Sequence, residues 1–293
     1  MGDNAKSTEH EWQETHQSVG QFLNSVRALR NYWRLEPEHE LWFRGERKAH
    51  GDTKLCPQLY RPRDENQARR PIPELLKIED QLFGHFKRCG YQLCDVQPED
   101  DWDWYFLMQH HGAPTRILDW SDGALIGLHF AVRDTPLQPT QDAIVYVLQP
   151  YWLVDYLKTL PDHEAAREKW RNYCREHPTE EFSEEEWDLA YLPDDEDWRQ
   201  EVPIPRVPLL WDTAHTTRRF GAQRSRFMLF GTDPEWMREI ASKQDAVKAL
   251  AVGAGAIPAI KQELRDAGVT ESVIFPDLDG LGREVKQLWE ERR

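Results

Sequence analysis

The sequence predicts an α+β fold, and three observations predict it. Runs of helical period recur, as at Val19, Phe22, Leu23, Val26, Leu29 and Trp33. Short β-branched runs also occur, AIVYVLQ at Ala143–Gln149 being the clearest. The two kinds mix without the regular strand–helix–strand alternation of a parallel α/β sheet.

Size and composition bound the reading. The 293 residues, 39% of them hydrophobic with 13 Trp, are enough for a buried core and argue against disorder. One large domain over 1–293 is expected. The opening MGDNAKSTEHEWQE lacks a signal-like apolar stretch, and nowhere do about 18 apolar residues run together. A cytoplasmic protein with no membrane partner is therefore expected. Cys56, Cys89, Cys94 and Cys174 show no CxxC pairing, so neither a zinc module nor a disulfide framework is indicated. The net charge of −15 is concentrated in Thr179–Glu201, where eleven acidic residues face Arg199 alone. That segment reads as a solvated part of a helical and acidic insertion over 151–205, so the whole-chain charge does not argue against an anionic ligand.

The elements follow in order. His16 to Arg34 is an amphipathic helix, within an N-terminal packing element over 16–35. LWFRGE is a strand with Trp42 and Arg44 on one face and Phe43 on the other. CPQLYRPRDENQARRP is an irregular loop, because its prolines and turn residues break both periods. Pro73–Gly90 and Trp102–His110 are helices, and Ala143–Gln149 is a buried strand. RFMLFG and AVKALAV are further strands; Pro258–Ala267 is a helix closed by Gly268. The last helix starts near Asp277, with Leu281, Val285 and Leu288 expected to face inward.

Four motifs in order carry a resemblance: WFRGE at 42–46, QHHGAPTRILDWS at 109–121, LHFAV at 128–132 and FPDLDGL at 275–281. Together they resemble the FRG-domain family, named for the tripeptide that is here Phe43, Arg44 and Gly45. The strand-borne Arg, the strand ending in Asp-Trp-Ser and the later Gln are in turn similar to the layout of ADP-ribosyltransferases. That similarity implies a mixed or antiparallel split sheet with flanking helices, an ADP-ribosyltransferase-like core, and NAD as cofactor. It also implies a toxin or phage-defence setting. Transferases of this type rely on a glutamate to stabilise the positive charge that builds on the ribose; here Gln223-Arg224-Ser225 offers none.

The residues themselves point to an anionic ligand. Arg44 can fork onto a diphosphate with Gly45 permitting close backbone approach, or it can pair with Asp119 in the core. Of His110 and His111 one is expected to read a ligand while the other packs; with Asp119 they do not form a recognised zinc spacing. Thr115 and Arg116, in the same turn, join the binding set. Asp119 and Ser121 either cap the helix that follows or belong to the site. Arg218, Arg219, Arg224 and Arg226, with Arg47, Lys48, Lys54, Arg61, Arg63, Arg69 and Arg70, form basic surface around both motifs. Catalysis by Asp119, Gln223 and His111 on NAD is one reading. The other is a non-catalytic module that recognises a phosphate-bearing small molecule, RNA or another charged partner. GAGAIP at 253–258 lacks the spacing of a dinucleotide-binding glycine loop.

Overall fold

The computed structural model describes residues 14–48, 54–64, 67–94, 97–136, 138–178, 182–193, 197–211, 218–243 and 245–290, without the side chains of 197, 218–220 and 243. Ser18 caps α1 (Val19–Tyr32), accepting from Gln21 N at 3.2 Å. His16 stays outside this helix: it bridges to Val252 and its ring contacts Ala251 O and Ser25 Oγ, each at 2.7 Å. β1 (Trp42–Glu46) follows, then α2 (Ile72–Gly90) and α3 (Asp101–His110), whose first turn is capped by the Asp100 carboxylate. β2 (Ile117–Ser121) leads into α4 (Ala124–Val132) and β3 (Ala143–Leu148). α5 (Pro150–Lys158) and α6 (Pro161–Glu176) precede β4 (Leu209–Trp211). The chain continues through α7 (Arg218–Gln223), β5 (Ser225–Leu229), α8 (Trp236–Lys243) and β6 (Val247–Val252). It ends in α9 (Ile257–Asp266), α10 (Glu271–Ile274) and α11 (Leu278–Glu290). Among the described residues no helix is long and apolar enough to cross a membrane.

The six strands form one antiparallel sheet in the order β4-β5-β2-β1-β3-β6. Its ladders are uneven. β1 pairs β3, and β2 pairs β5, over five positions each, whereas β1 and β2 pair only at Phe43↔Ser121. The two three-stranded halves therefore part in the middle of the sheet. Because side chains alternate, Phe43, Gly45, Asp119 and Ser121 share one face and Arg44 starts from the other. On the first face, α1, α4 and α9 cover β1, β3 and β6 through Phe22, Leu29, Leu128 and Ile260. α3 covers the other half through Phe106 and Tyr105 against Ile117 and Phe227. The opposite face is closed by α5, α8 and the 55–60 segment.

Two glycines make the α4 contact possible. A Cβ on Gly45 would lie 2.1 Å from Gly127 O and 2.2 Å from Ala131 N, and one on Gly127 would lie 2.5 Å from Phe43 Cβ. Thus β1 and α4 meet backbone to backbone. The close approach expected at Gly45 is the approach of a helix.

A buried hub at the start of β2 ties the clusters of both faces together. Arg116, fully enclosed, pairs with Glu79 of α2 through Nε and donates to Phe230 O and Tyr191 O, while Tyr105 donates to the same carboxylate. Burial disfavours the Arg116 charge, but the Glu79 carboxylate outweighs that effect and keeps the guanidinium protonated.

Two expectations are corrected. The acidic stretch is not wholly solvated: Tyr191 and Trp198 are buried, and Trp102 Nε1 donates to Asp188 at 3.1 Å. Its aromatic residues reach the core while Glu184, Glu185, Glu186 and Glu201 face water; residues 179–181 and 194–196 lie outside the described set. Nor does α11 point its apolar residues inward. Leu281, Val285 and Leu288 are 47%, 58% and 39% exposed. A helix with one apolar stripe has the same sequence whichever way the stripe faces, and here polar ties orient it. Asp277 Oδ1 accepts from Gly280 N at 2.6 Å, and Arg283 pairs with Glu271 at 2.7 Å.

Glu271 anchors α4, α10 and α11 at once, accepting from Arg133 at 2.6 Å and meeting His129 at 3.3 Å besides Arg283. Burial alone would raise its pKa. The hydrogen bonds from His129 and Arg283, with the Arg133 charge, prevail and lower it to about 2.

Replacing Gly45 by Ala forces β1 and α4 apart, with an expected loss of about 1–3 kcal/mol or more in chemical denaturation. The Glu271 carboxyl is depressed in the folded chain, so its contribution is complete above the unfolded carboxyl pKa and is lost as pH falls toward about 2. Glu271→Gln should remove about 3 kcal/mol of stability at pH 7 and flatten the decline between about pH 5 and pH 2, read from denaturation midpoints across that range.

Candidate functional site

The parting of β1 from β2 opens a cavity of about 260 Å³ whose wall includes Arg44, Gly45, His110, Asp119, Ser121 and Gln223. These residues come from β1, the end of α3, β2 and the end of α7, and they span most of the chain. Phe130, Arg133 and Phe275 complete the apolar and cationic side of the wall. The LHFAV and FPDLDGL motifs thereby reach the same place: Arg133, just past α4, lies 4.4 Å from the Phe275 ring centroid.

Arg44 occupies the gap between the strands. Its Nη1 donates to the Asp119 carbonyl at 2.7 Å and its Nε to Glu46 Oε1 at 3.1 Å. Its acid partner is therefore Glu46, two residues on along the same strand, and the Asp119 side chain is left for other contacts. Glu46 is buried and its Oε2 has no hydrogen-bond partner.

Asp119 lies in mid-strand, exposed to the cavity, and does not cap α4. Its Oδ2 accepts from Gln109 Nε2 at 2.7 Å, and Gln109 Oε1 in turn accepts from Thr115 Oγ1. Thr115 thus sets the orientation of the amide, and the amide sets the carboxylate. Ser121 Oγ donates to the Gln223 carbonyl at 2.7 Å and accepts from Gly123 N at 3.1 Å, which fixes the turn into α4. Gln223 Nε2 is buried without a hydrogen-bond partner.

Other candidates lie elsewhere. His111 is exposed past the end of α3, its ring 6.5 Å from Phe86, while Gly112 turns the chain with φ +79°. Thr115 is fully buried behind Gln109. Arg116 is sealed in the Glu79 hub, which accounts for its charge without a ligand. Arg226 forks onto Glu40, both contacts at 3.0 Å, and meets Asp122 at 2.6 Å; Arg224 also pairs with Asp122. These arginines are matched by acids of the 40s and 120s, away from the acidic segment. The side chains of Arg218 and Arg219 lie outside the described residues.

Sequence reasoning missed Gln109 and Glu46. Gln109 had a signal: it is the polar residue in the last turn of DWDWYFLMQH, on a helix whose other residues are mostly aromatic or apolar. Glu46 had one as well, since it shares a strand face with Arg44 at i+2.

A second cavity, of about 830 Å³, shares Arg44, Gln109 and Asp119 with the first and is lined further by residues of 58–63 and 67–70. Among the described residues no group of three His, Cys, Asp or Glu is placed to hold a metal ion.

Comparison with known proteins bears on this site. No curated protein and no solved structure matches the chain. One family model does, over a segment that contains β1, β2 and α4 and so most of the cavity wall: residues 39–139 match the FRG domain.

Proposed function

We propose that the opening between β1 and β2 binds NAD and that the chain acts on the nicotinamide–ribose bond, as an ADP-ribosyltransferase or an NAD hydrolase. One observation carries the reading. Arg44 on β1, Ser121 on β2 and Gln223, at the end of α7 two residues before β5, line one cavity, and β1, β2 and β5 lie in the sheet order β5-β2-β1. A toxin or phage-defence effector is the setting that such chemistry implies.

The residues fit the dinucleotide. The Arg44 fork, already held by Glu46, suits a diphosphate, and Gln223 Nε2, without a hydrogen-bond partner in the protein, is a donor for a ligand oxygen. His110 takes the nicotinamide-side ribose, since His111 lies outside the cavity wall. NAD supplies a glycosidic bond with nicotinamide as leaving group. Asp119, the one carboxylate among the described lining residues, then faces the positive charge that grows on the ribose, and Gln109 fixes its direction beforehand.

A second reading, a non-catalytic module for a nucleotide, RNA or a charged partner, is favoured by the absence of a glutamate from the described cavity wall. Calorimetry with NAD, ADP-ribose and short RNA, alongside an assay of nicotinamide release, separates the two. NAD is expected to bind and to lose nicotinamide. Arg44→Lys, which keeps the charge and loses the fork, should weaken NAD binding by about 1–3 kcal/mol. Asp119→Asn should leave binding nearly intact and lower nicotinamide release by about 100-fold. Binding without release would establish the module. A lowered melting temperature in Arg44→Lys with unchanged affinity would make Arg44 purely structural.

A further inference from the structure

We infer that the 830 Å³ cavity is a second site, which takes the phosphate ester of a nucleotide unit, free or within a single strand. The inference stands on the arginine-rich loop and does not depend on the dinucleotide reading. Four guanidinium groups, of Arg44, Arg61, Arg63 and Arg70, line the cavity with one carboxylate, Asp119, among the described lining residues. Such a surplus of planar, forked cations attracts an anion, and phosphate oxygens match the fork.

The loop that carries three of these arginines is fixed to the core. Tyr60 OH donates to Gly231 O at 2.6 Å and Leu59 N to Thr115 O at 3.2 Å. Arg69 donates to Tyr60 O at 2.6 Å and pairs with Glu235 at 2.6 Å, while Arg61 Nε donates to Cys56 O at 2.8 Å. The loop backbone near 59–61 and 69 and the Arg61 guanidinium are therefore positioned before a ligand arrives, which lowers the ordering cost of binding.

Charge around the cavity is left incompletely matched. Arg44 and Arg61 share Glu46, at 3.1 and 3.7 Å, and burial together with the Arg44 charge lowers the Arg61 pKa against the pull of Glu46. Arg63 is exposed and forms no ion pair with a described residue. Arg70 makes only the exposed i,i+4 pair with Glu74, a contact of small worth. Besides these groups, Leu59, Leu75, Ile78 and Leu118 give the lining apolar surface. A lining that combines arginines with aliphatic surface suits a phosphate joined to a flat, weakly polar base.

The test uses the full chain titrated at low salt with adenosine monophosphate and with an eight-nucleotide single-stranded thymidylate, for the wild type and for an Arg63→Ala/Arg70→Ala variant. Wild-type binding of at least one probe is expected, weakened about tenfold or more in the variant with an unchanged melting temperature. For the oligonucleotide, the slope of log affinity against log salt should fall by roughly one for each phosphate contact removed. The probe that binds identifies the source, free nucleotide or strand. NAD titrated into the same variant keeps the two sites apart, because the NAD reading uses neither Arg63 nor Arg70. Unchanged NAD affinity supports a separate site, and absence of NAD binding in the wild type counts only against the dinucleotide reading. Failure of both probes to bind at millimolar concentration, equal binding by the variant, or a parallel loss of NAD binding in it would each overturn the inference.

Discussion

The Arg44 guanidinium stands where a main-chain ladder would otherwise run. β1 and β2 hold register at Phe43↔Ser121 and then separate, and the charge-assisted bond from Arg44 to the Asp119 carbonyl satisfies an acceptor that the missing ladder would have left open. A sheet parted in its middle would otherwise expose backbone to both helical layers. With Arg44 in place the gap becomes an opening with defined walls, shared by the two cavities.

The rest of the tripeptide serves the same end from the other side. Phe43 packs into the cluster beneath α1 and α4, and Gly45 lets α4 settle against the strand backbone. Seating α4 this closely brings Phe130 and Arg133 to the rim, where Glu271 holds the arginine. Three consecutive residues thus fill a core, bridge a break and admit a helix. Their value comes from the alternation of the strand, which sends neighbours to opposite faces.

Charges sort into two populations. Arg116 with Glu79, Arg226 with Glu40 and Asp122, and Arg133 and Arg283 with Glu271 are cations held by enclosed or half-enclosed acids. Breaking such a pair leaves an uncompensated charge in low dielectric, at a cost of about 3–5 kcal/mol for a fully buried one. Along the cavity walls the balance differs. Arg44 and Arg61 divide one carboxylate, and Gln223 Nε2 is buried with no hydrogen-bond partner. Arg44, Arg61 and Gln223, each incompletely satisfied by the protein itself, line the cavities beside the break in the sheet.

The sequence by itself determined the elements, because periods of 3.6 and 2 survive in any context: α1, α2, α3, β3 and α9 lie close to where their apolar spacing puts them. It also made Arg44, His110, Asp119, Ser121 and Gln223 legible as unusual polar residues within strands or at element ends. Tertiary structure alone decided which arginine is structural. Arg44 and Arg116 both sit in polar motifs beside a strand, yet one meets Glu79 across 37 residues and is enclosed, while the other lies along the cavities. It decided that Gln109, and no cap, holds Asp119, that Tyr191 and Trp198 of an acidic stretch are buried, and that the stripe of α11 faces outward. The physical reason is common to all of these. Local spacing fixes which residues share a face, but what that face meets depends on groups brought together from distant parts of the chain, and a single sequence does not record those encounters.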